Sequence, residues 1–160
     1  MPRIVHADRG PHTGPDVLAR CVRIARALRD AGGLVVWVIV ERPGGEPQPD
    51  GSELSPECAP QPGDLRVVKH TWGAFHQTGL DDSLRAKGID TVVLGGIATN
   101  FGVESTARVA DEHGYRVVSV SDAMTGVHAH AHDFALGYVL PALGPVVTTE
   151  ELLTALSAPR

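Results

Sequence analysis

The run Thr91-Val92-Val93-Leu94-Gly95-Gly96-Ile97-Ala98-Thr99-Asn100-Phe101-Gly102-Val103-Glu104-Ser105-Thr106-Ala107-Arg108 carries the reading of this chain. Thr91 to Gly96 is apolar and rich in β-branched residues, the composition of a strand. From Phe101 or Gly102 the pattern changes. Val103, Thr106, Ala107 and Ala110 recur three and four apart, which predicts a helix ending at His113-Gly114. A strand that turns directly into a helix is the repeating half of an α/β domain with a mainly parallel sheet.

The flanks repeat this alternation. Gly14-Pro15-Asp16 opens a helix with the apolar stripe Val17, Leu18, Cys21, Ile24, Ala25 and Leu28, stopped by Gly32-Gly33. Leu34 to Val40 is a nearly unbroken apolar run, as expected of a strand covered on both faces. Leu65 to Lys69 is a further strand, and Glu41 to Asp64, rich in Pro and Gly, is read as a long surface loop within one domain. Leu80 to Lys87 is a short helix closed by Gly88. Tyr115 to Val120 is a strand leading into Ser121-Asp122-Ala123, and Val127 to Leu140 is a helix until Pro141. Val146-Val147 is an edge strand before a closing helix at Thr149 to Leu156, whose start carries capping and acidic residues.

At 160 residues the chain is expected to be a single domain spanning 1–160. A net charge of −5 without a basic run excludes a nucleic-acid surface and favours a small-molecule substrate as partner. Cys21 and Cys58 form no disulfide framework, which suits a reducing cytosol. No apolar stretch is long enough to span a membrane and the N-terminus has no signal pattern, so a cytoplasmic location is expected.

Four ordered segments resemble the isochorismatase-like superfamily, also called the cysteine hydrolases. Val68-Lys69-His70-Thr71-Trp72-Gly73-Ala74-Phe75 resembles its lysine strand and aromatic-containing loop. Gly88-Ile89-Asp90-Thr91 leads into the opening run, and Asp122-Ala123 ends the next strand. The resemblance implies a three-layer α/β/α sandwich with a Rossmann-like sheet of order 3-2-1-4-5-6 and a site at the carboxyl ends of its strands. It also implies a triad of Asp, Lys and Cys, in which the thiolate attacks an amide or related carbon. Lys69 matches the lysine. Gly102 stands at the cysteine position and has no atom to attack with. The amides of Ala98 and Gly102 match the oxyanion hole, and the Ile97–Ala98 bond matches a cis peptide. Trp72, Phe75, Thr99, Asn100 and Phe101 are the implied substrate-binding residues, although core packing serves Trp72 and Phe75 equally well. Glycine also stands at the cysteine position of true isochorismatases, which split a vinyl ether with the aspartate as acid.

The aspartate is a second departure. Ile4-Val5 resembles the aliphatic pair that follows the first strand, and Gly10-Pro11-His12-Thr13 resembles a loop of one subgroup, so the first strand with its acid is expected to precede Met1. A gap in the sheet, direct pairing of the flanking strands, or a misplaced start codon each accounts for this, and the last is favoured.

Other candidates have plainer readings. Of His128, His130 and His132 only the first and last would share a helical face, and no metal or cofactor is expected. Cys21 is read as core, Cys58 as an exposed spectator, and Glu104 with Arg108 as an ion pair. Two functions remain open. One is a small-molecule hydrolase working without a cysteine nucleophile, with Lys69 and the Ala98 and Gly102 amides polarising the substrate. The other is an inactive ligand-binding or subunit protein. A homo-oligomer is expected in either case.

Overall fold

The computed structural model describes residues 10–41 and 54–158. Helix α1 (Gly14–Asp30) starts where the Asp16 amide donates to the Thr13 hydroxyl at 3.3 Å, with Pro15 in the first turn, and ends at Ala31. Strands β1 (Val36–Val40) and β2 (Leu65–Lys69) pair in parallel, with Val36 opposite Leu65 and Val40 opposite Lys69. Helix α2 (Leu80–Ala86) leads to β3 (Thr91–Ile97), α3 (Glu104–Glu112) and β4 (Arg116–Thr125). The C-terminal part comprises α4 (Ala129–Phe134), α5 (Leu140–Leu143), β5 (Val146–Val147) and α6 (Thr149–Ser157). The closing helix starts at Thr149, as its sequence suggests, but its cap is Thr148, which bonds reciprocally with Glu151.

Alternation along the strands sorts side chains into two apolar layers. Val67, Val92, Leu94 and Val117 point to one face, where they pack with Ala107 and Ala110 of α3 and Leu140 of α5. Val93 and Val120 point to the other, onto Ile24 of α1 and Leu152 of α6. The result is a parallel α/β fold flanked by helices on both faces.

The described strands form two pieces, β1–β2 and β3–β4–β5, both parallel. In the order 3-2-1-4-5-6 these are the pair 3-2 and the trio 4-5-6, and the strand that would join them lies outside the described residues. So do Met1 and the Ile4-Val5 pair, and most of the loop Glu41 to Asp64.

Several boundaries differ from expectation. Strand β4 runs on to Thr125, beyond Val120, because β3 changes register between Leu94 and Gly96 and then pairs Gly96 with Met124 and Ile97 with Thr125. Gly95 lies so close to β4 that an added Cβ would sit 3.0 Å from the Ala123 carbonyl, and Gly96 takes a φ of +119° that only glycine adopts freely. Polar Ser121 and Asp122 do not end the strand because each has a partner there. The Ser121 hydroxyl donates to the Val147 carbonyl at 3.0 Å, and Asp122 Oδ1 accepts from the Thr149 amide and hydroxyl at 2.7 and 2.8 Å.

Pro141 does not end its helix. A π turn, Ala135–Val139, precedes α5, and Pro141 falls in the first turn of that short helix. A proline is tolerated in the first turn of a helix, where its missing amide removes no intrahelical hydrogen bond. Cys58 is not an exposed spectator. It is buried in a short 3₁₀ turn, Pro56–Cys58, against Ala25, Val35 and Trp37, because the end of the long loop folds back onto α1 and β1.

Candidate functional site

Lys69 ends β2, and the pleat puts it on the same face as Val67, toward α3. Its side chain is only 6% exposed, and Nζ donates to the carbonyl oxygen of Trp72. Among the described residues no carboxylate pairs with it. Burial therefore acts without compensation and pushes the amine below the usual lysine range.

The second element of the site is the turn after β3. The Ile97–Ala98 peptide is cis, and the chain then passes through a π turn, Thr99–Val103, before α3 begins at Glu104. The helix thus starts two to three residues later than the periodicity predicts, because these residues form a wider turn with helical spacing. The amides of Phe101 and Val103 both donate to the Ala98 carbonyl, at 3.2 and 3.3 Å, and the Gly102 amide between them makes no such bond. The Thr106 hydroxyl donates to the Gly102 carbonyl at 2.6 Å and accepts from the Ala74 amide at 3.1 Å, tying the turn to the loop after Lys69.

Lys69 and Gly102 meet at the carboxyl ends of β2 and β3. A Cβ on residue 102 would lie 2.8 Å from Lys69 Nζ and 3.4 Å from the Trp72 carbonyl oxygen. The amine therefore fills the space a side chain at this position would enter. Glycine here removes a nucleophile and also makes room for the lysine.

The remaining sequence-derived candidates separate. Trp72 (64% exposed) and Phe101 (38%) meet edge to face, 5.1 Å between ring centres, and form an aromatic pair beside Lys69. Phe75 is instead packed in the core, tilted against His113 and Tyr115. Thr99 is fully buried, and its hydroxyl meets His132 Nδ1 at 2.8 Å. The Asn100 carboxamide oxygen is buried and has no hydrogen-bond partner among the described residues.

His132 is the residue the sequence missed. Burial, and secondarily the neighbouring His12, hold it below the ordinary histidine range, so it serves Thr99 as a neutral ring. Its spacing from His128 and His130 suggested only a histidine group. Helix α4 begins after His128, whose ring stacks on His130 at 5.7 Å, while His132 turns inward. Among the described residues, no group of three His, Cys, Asp or Glu converges on a metal site. Arg108 and Glu104 pair within α3 at 2.9 Å. A separate cleft of about 390 Å³, lined by Gly73, Phe75, His76, Gln77, Ser105, Val109 and His113, contains neither Lys69 nor Gly102.

The Isochorismatase domain family matches residues 3–151. The isochorismatase family protein YwoC of Bacillus subtilis is 49% identical over 109 residues, which are 68% of this chain and 58% of YwoC. Maleamate amidohydrolase of Pseudomonas putida is 33% identical over 110 residues, 67% of this chain and 52% of that enzyme. The chain thus spans little more than half the length of these two relatives. A solved isochorismatase family protein from Burkholderia thailandensis superposes with a TM-score of 0.88 at 38% identity, covering 97% of this chain and 90% of the other.

Proposed function

Because this chain belongs to the isochorismatase family, we propose that it hydrolyses a small molecule in the Lys69–Gly102 pocket without a cysteine nucleophile. The observation that carries this reading is the position of the Lys69 amine, in the space a side chain at residue 102 would enter. A buried amine and the amides of a strand-to-helix turn are suited to hold a carbonyl or leaving-group oxygen as negative charge develops on it. The amide of Ala98 is assigned the same role. With no thiol at residue 102, the attacking group is water. Maleamate amidohydrolase acts on an amide, and small amides are accordingly the first substrates to test. Trp72 and Phe101 are assigned to the substrate, whereas Thr99 acts on it only through the shape of the turn.

The experiment is a panel of small carboxylate-bearing amides and vinyl ethers, assayed before and after treatment with iodoacetamide. Turnover of at least one compound, unchanged by alkylation, is the expected result. Cys21 is shielded, since its Sγ donates to the Ala123 carbonyl at 3.4 Å and burial pushes its pKa up to about 12. Loss of activity upon modification of Cys21 or Cys58 would show that the chemistry lies elsewhere, and no turnover across the panel would favour the inactive reading.

The same reading has the protein cytoplasmic and homo-oligomeric. The stacked Phe134–Tyr138 pair, 61% and 73% exposed, offers apolar surface to a second copy. Light scattering at micromolar concentration should report an assembly larger than one chain, and a monomer would remove this part of the proposal.

A further inference from the structure

We propose that Lys69 is itself the covalent group of this pocket, and that its amine captures the carbonyl carbon of a small 2-oxo acid as a Schiff base. The inference rests on reading the Lys69–Gly102 pocket as the active site, and it adds a reaction that the missing thiol could not perform.

Position comes first. Nζ lies 2.8 Å from where a Cβ on residue 102 would stand, so the amine occupies the space from which a nucleophile carried by that residue would act. The Trp72 carbonyl accepts one of its N–H bonds and so fixes its direction, leaving the nitrogen lone pair of the neutral amine free. Because burial lowers the amine's proton affinity and no described carboxylate raises it, a larger share is neutral at a given pH than for a solvent lysine.

Chemistry then selects the substrate. Attack of an amine on an amide carbon expels one amine and leaves another amide, which ends the reaction with the enzyme acylated. Attack on an aldehyde or keto carbon is reversible. The nitrogen lone pair adds to the carbonyl carbon, and the C=O π pair moves to oxygen, which takes a proton. The nitrogen then gives up a proton, the new hydroxyl takes a second proton from solvent and leaves as water, and the nitrogen lone pair forms C=N as the protonated imine. No electron acceptor or donor is required. The oxygen is assigned to the turn after β3, whose residue 102 lies against Nζ. The imine is cationic when protonated and has no described carboxylate beside it, so a substrate that brings its own carboxylate supplies the counter-charge. This singles out 2-oxo acids among small carbonyl compounds.

The chain contains its own control, since its only lysines are Lys69 and the exposed Lys87. The intact protein is incubated with glyoxylate, reduced with sodium cyanoborohydride and mapped by peptide mass spectrometry from pH 6 to 9. Lys69 is expected to carry the carboxymethyl product at least about tenfold more than Lys87 at pH 7, with its labelling reaching a plateau at lower pH. In Gly102→Ala the new Cβ displaces Nζ, and labelling of Lys69 should fall about tenfold in a protein whose circular dichroism is unchanged. Equal labelling of the two lysines, or an unlabelled Lys69 in the wild type, overturns the proposal. Labelling of Lys69 without turnover of any amide or vinyl ether would leave this proposal standing and the hydrolase reading not. Turnover without labelling would do the reverse.

Discussion

Replacing Lys69 by methionine should lower turnover of any substrate found by about 100- to 1,000-fold while leaving the fold intact. The magnitude is that typical of removing one preorganised group that stabilises developing negative charge. Methionine fills a similar volume, so the Val67 face of β2 keeps its packing. Two stability terms oppose each other. The Trp72 carbonyl loses the N–H it accepts from Lys69, and the cost of holding an amine at 6% exposure disappears. The net change is expected within about 1 kcal/mol. The pH dependence has a definite sign. Burial lowers the folded-state affinity of Lys69 for its proton, so between that lowered value and the ordinary lysine range of about 10.4 the unfolded chain binds more protons. Wild-type stability therefore gains a contribution from Lys69 as pH rises through this window, and the variant lacks it. Melting curves across that range, measured beside turnover, check both statements. A variant that retains full activity would remove Lys69 from the mechanism.

The largest stability effect is expected at Asp64→Ala, about 3 kcal/mol and hence a fall of roughly 6–12 °C in Tm. Asp64 is a hub with a side chain only 6% exposed. It accepts from Arg29 Nε and Nη2 at 2.9 and 2.5 Å, from Trp37 Nε1 at 2.8 Å and from the Gln61 amide at 2.9 Å. These bonds join α1, β1 and the end of the long loop, and removing the carboxylate leaves several donors without their acceptor at once. The Arg29 guanidinium, and after it the Gln61 amide and Trp37 indole, hold the Asp64 carboxyl well below the usual carboxylate range. Its contribution is fully present above the unfolded value of about 3.9 and is lost as pH falls through the lower folded value. Asp64→Asn should therefore flatten the acid limb of the stability profile below about pH 4. Denaturation followed from pH 2 to 7 tests it, and an unchanged midpoint for both variants would show that the hub contributes nothing.

Asp64 illustrates what a sequence conceals. It ends a stretch of Pro, Gly and polar residues read as a solvated loop, and its partners lie 27 and 35 residues earlier. Cys58 lies in the same stretch and is buried for the same reason. Neither has a periodic neighbourhood, and periodicity is the only local trace that burial leaves.

Local order fixed the alternation of strands and helices, the parallel character of the sheet and the stripe that α1 buries, because pleat and helix repeat impose spacings readable over a few residues. It also located Lys69 at a strand end and Gly102 in a strand-to-helix turn. That the amine of one stands in the side-chain space of the other was decided by tertiary structure, through the placement of β2 and β3 at one end of the molecule. The partnership of Thr99 with His132, 33 residues on, and of Asp122 with Thr149 at the head of α6 arose in the same way. Spacing along the chain tells which face of an element is covered, whereas the identity of what covers it depends on the order in which elements stack, and no local pattern encodes that order.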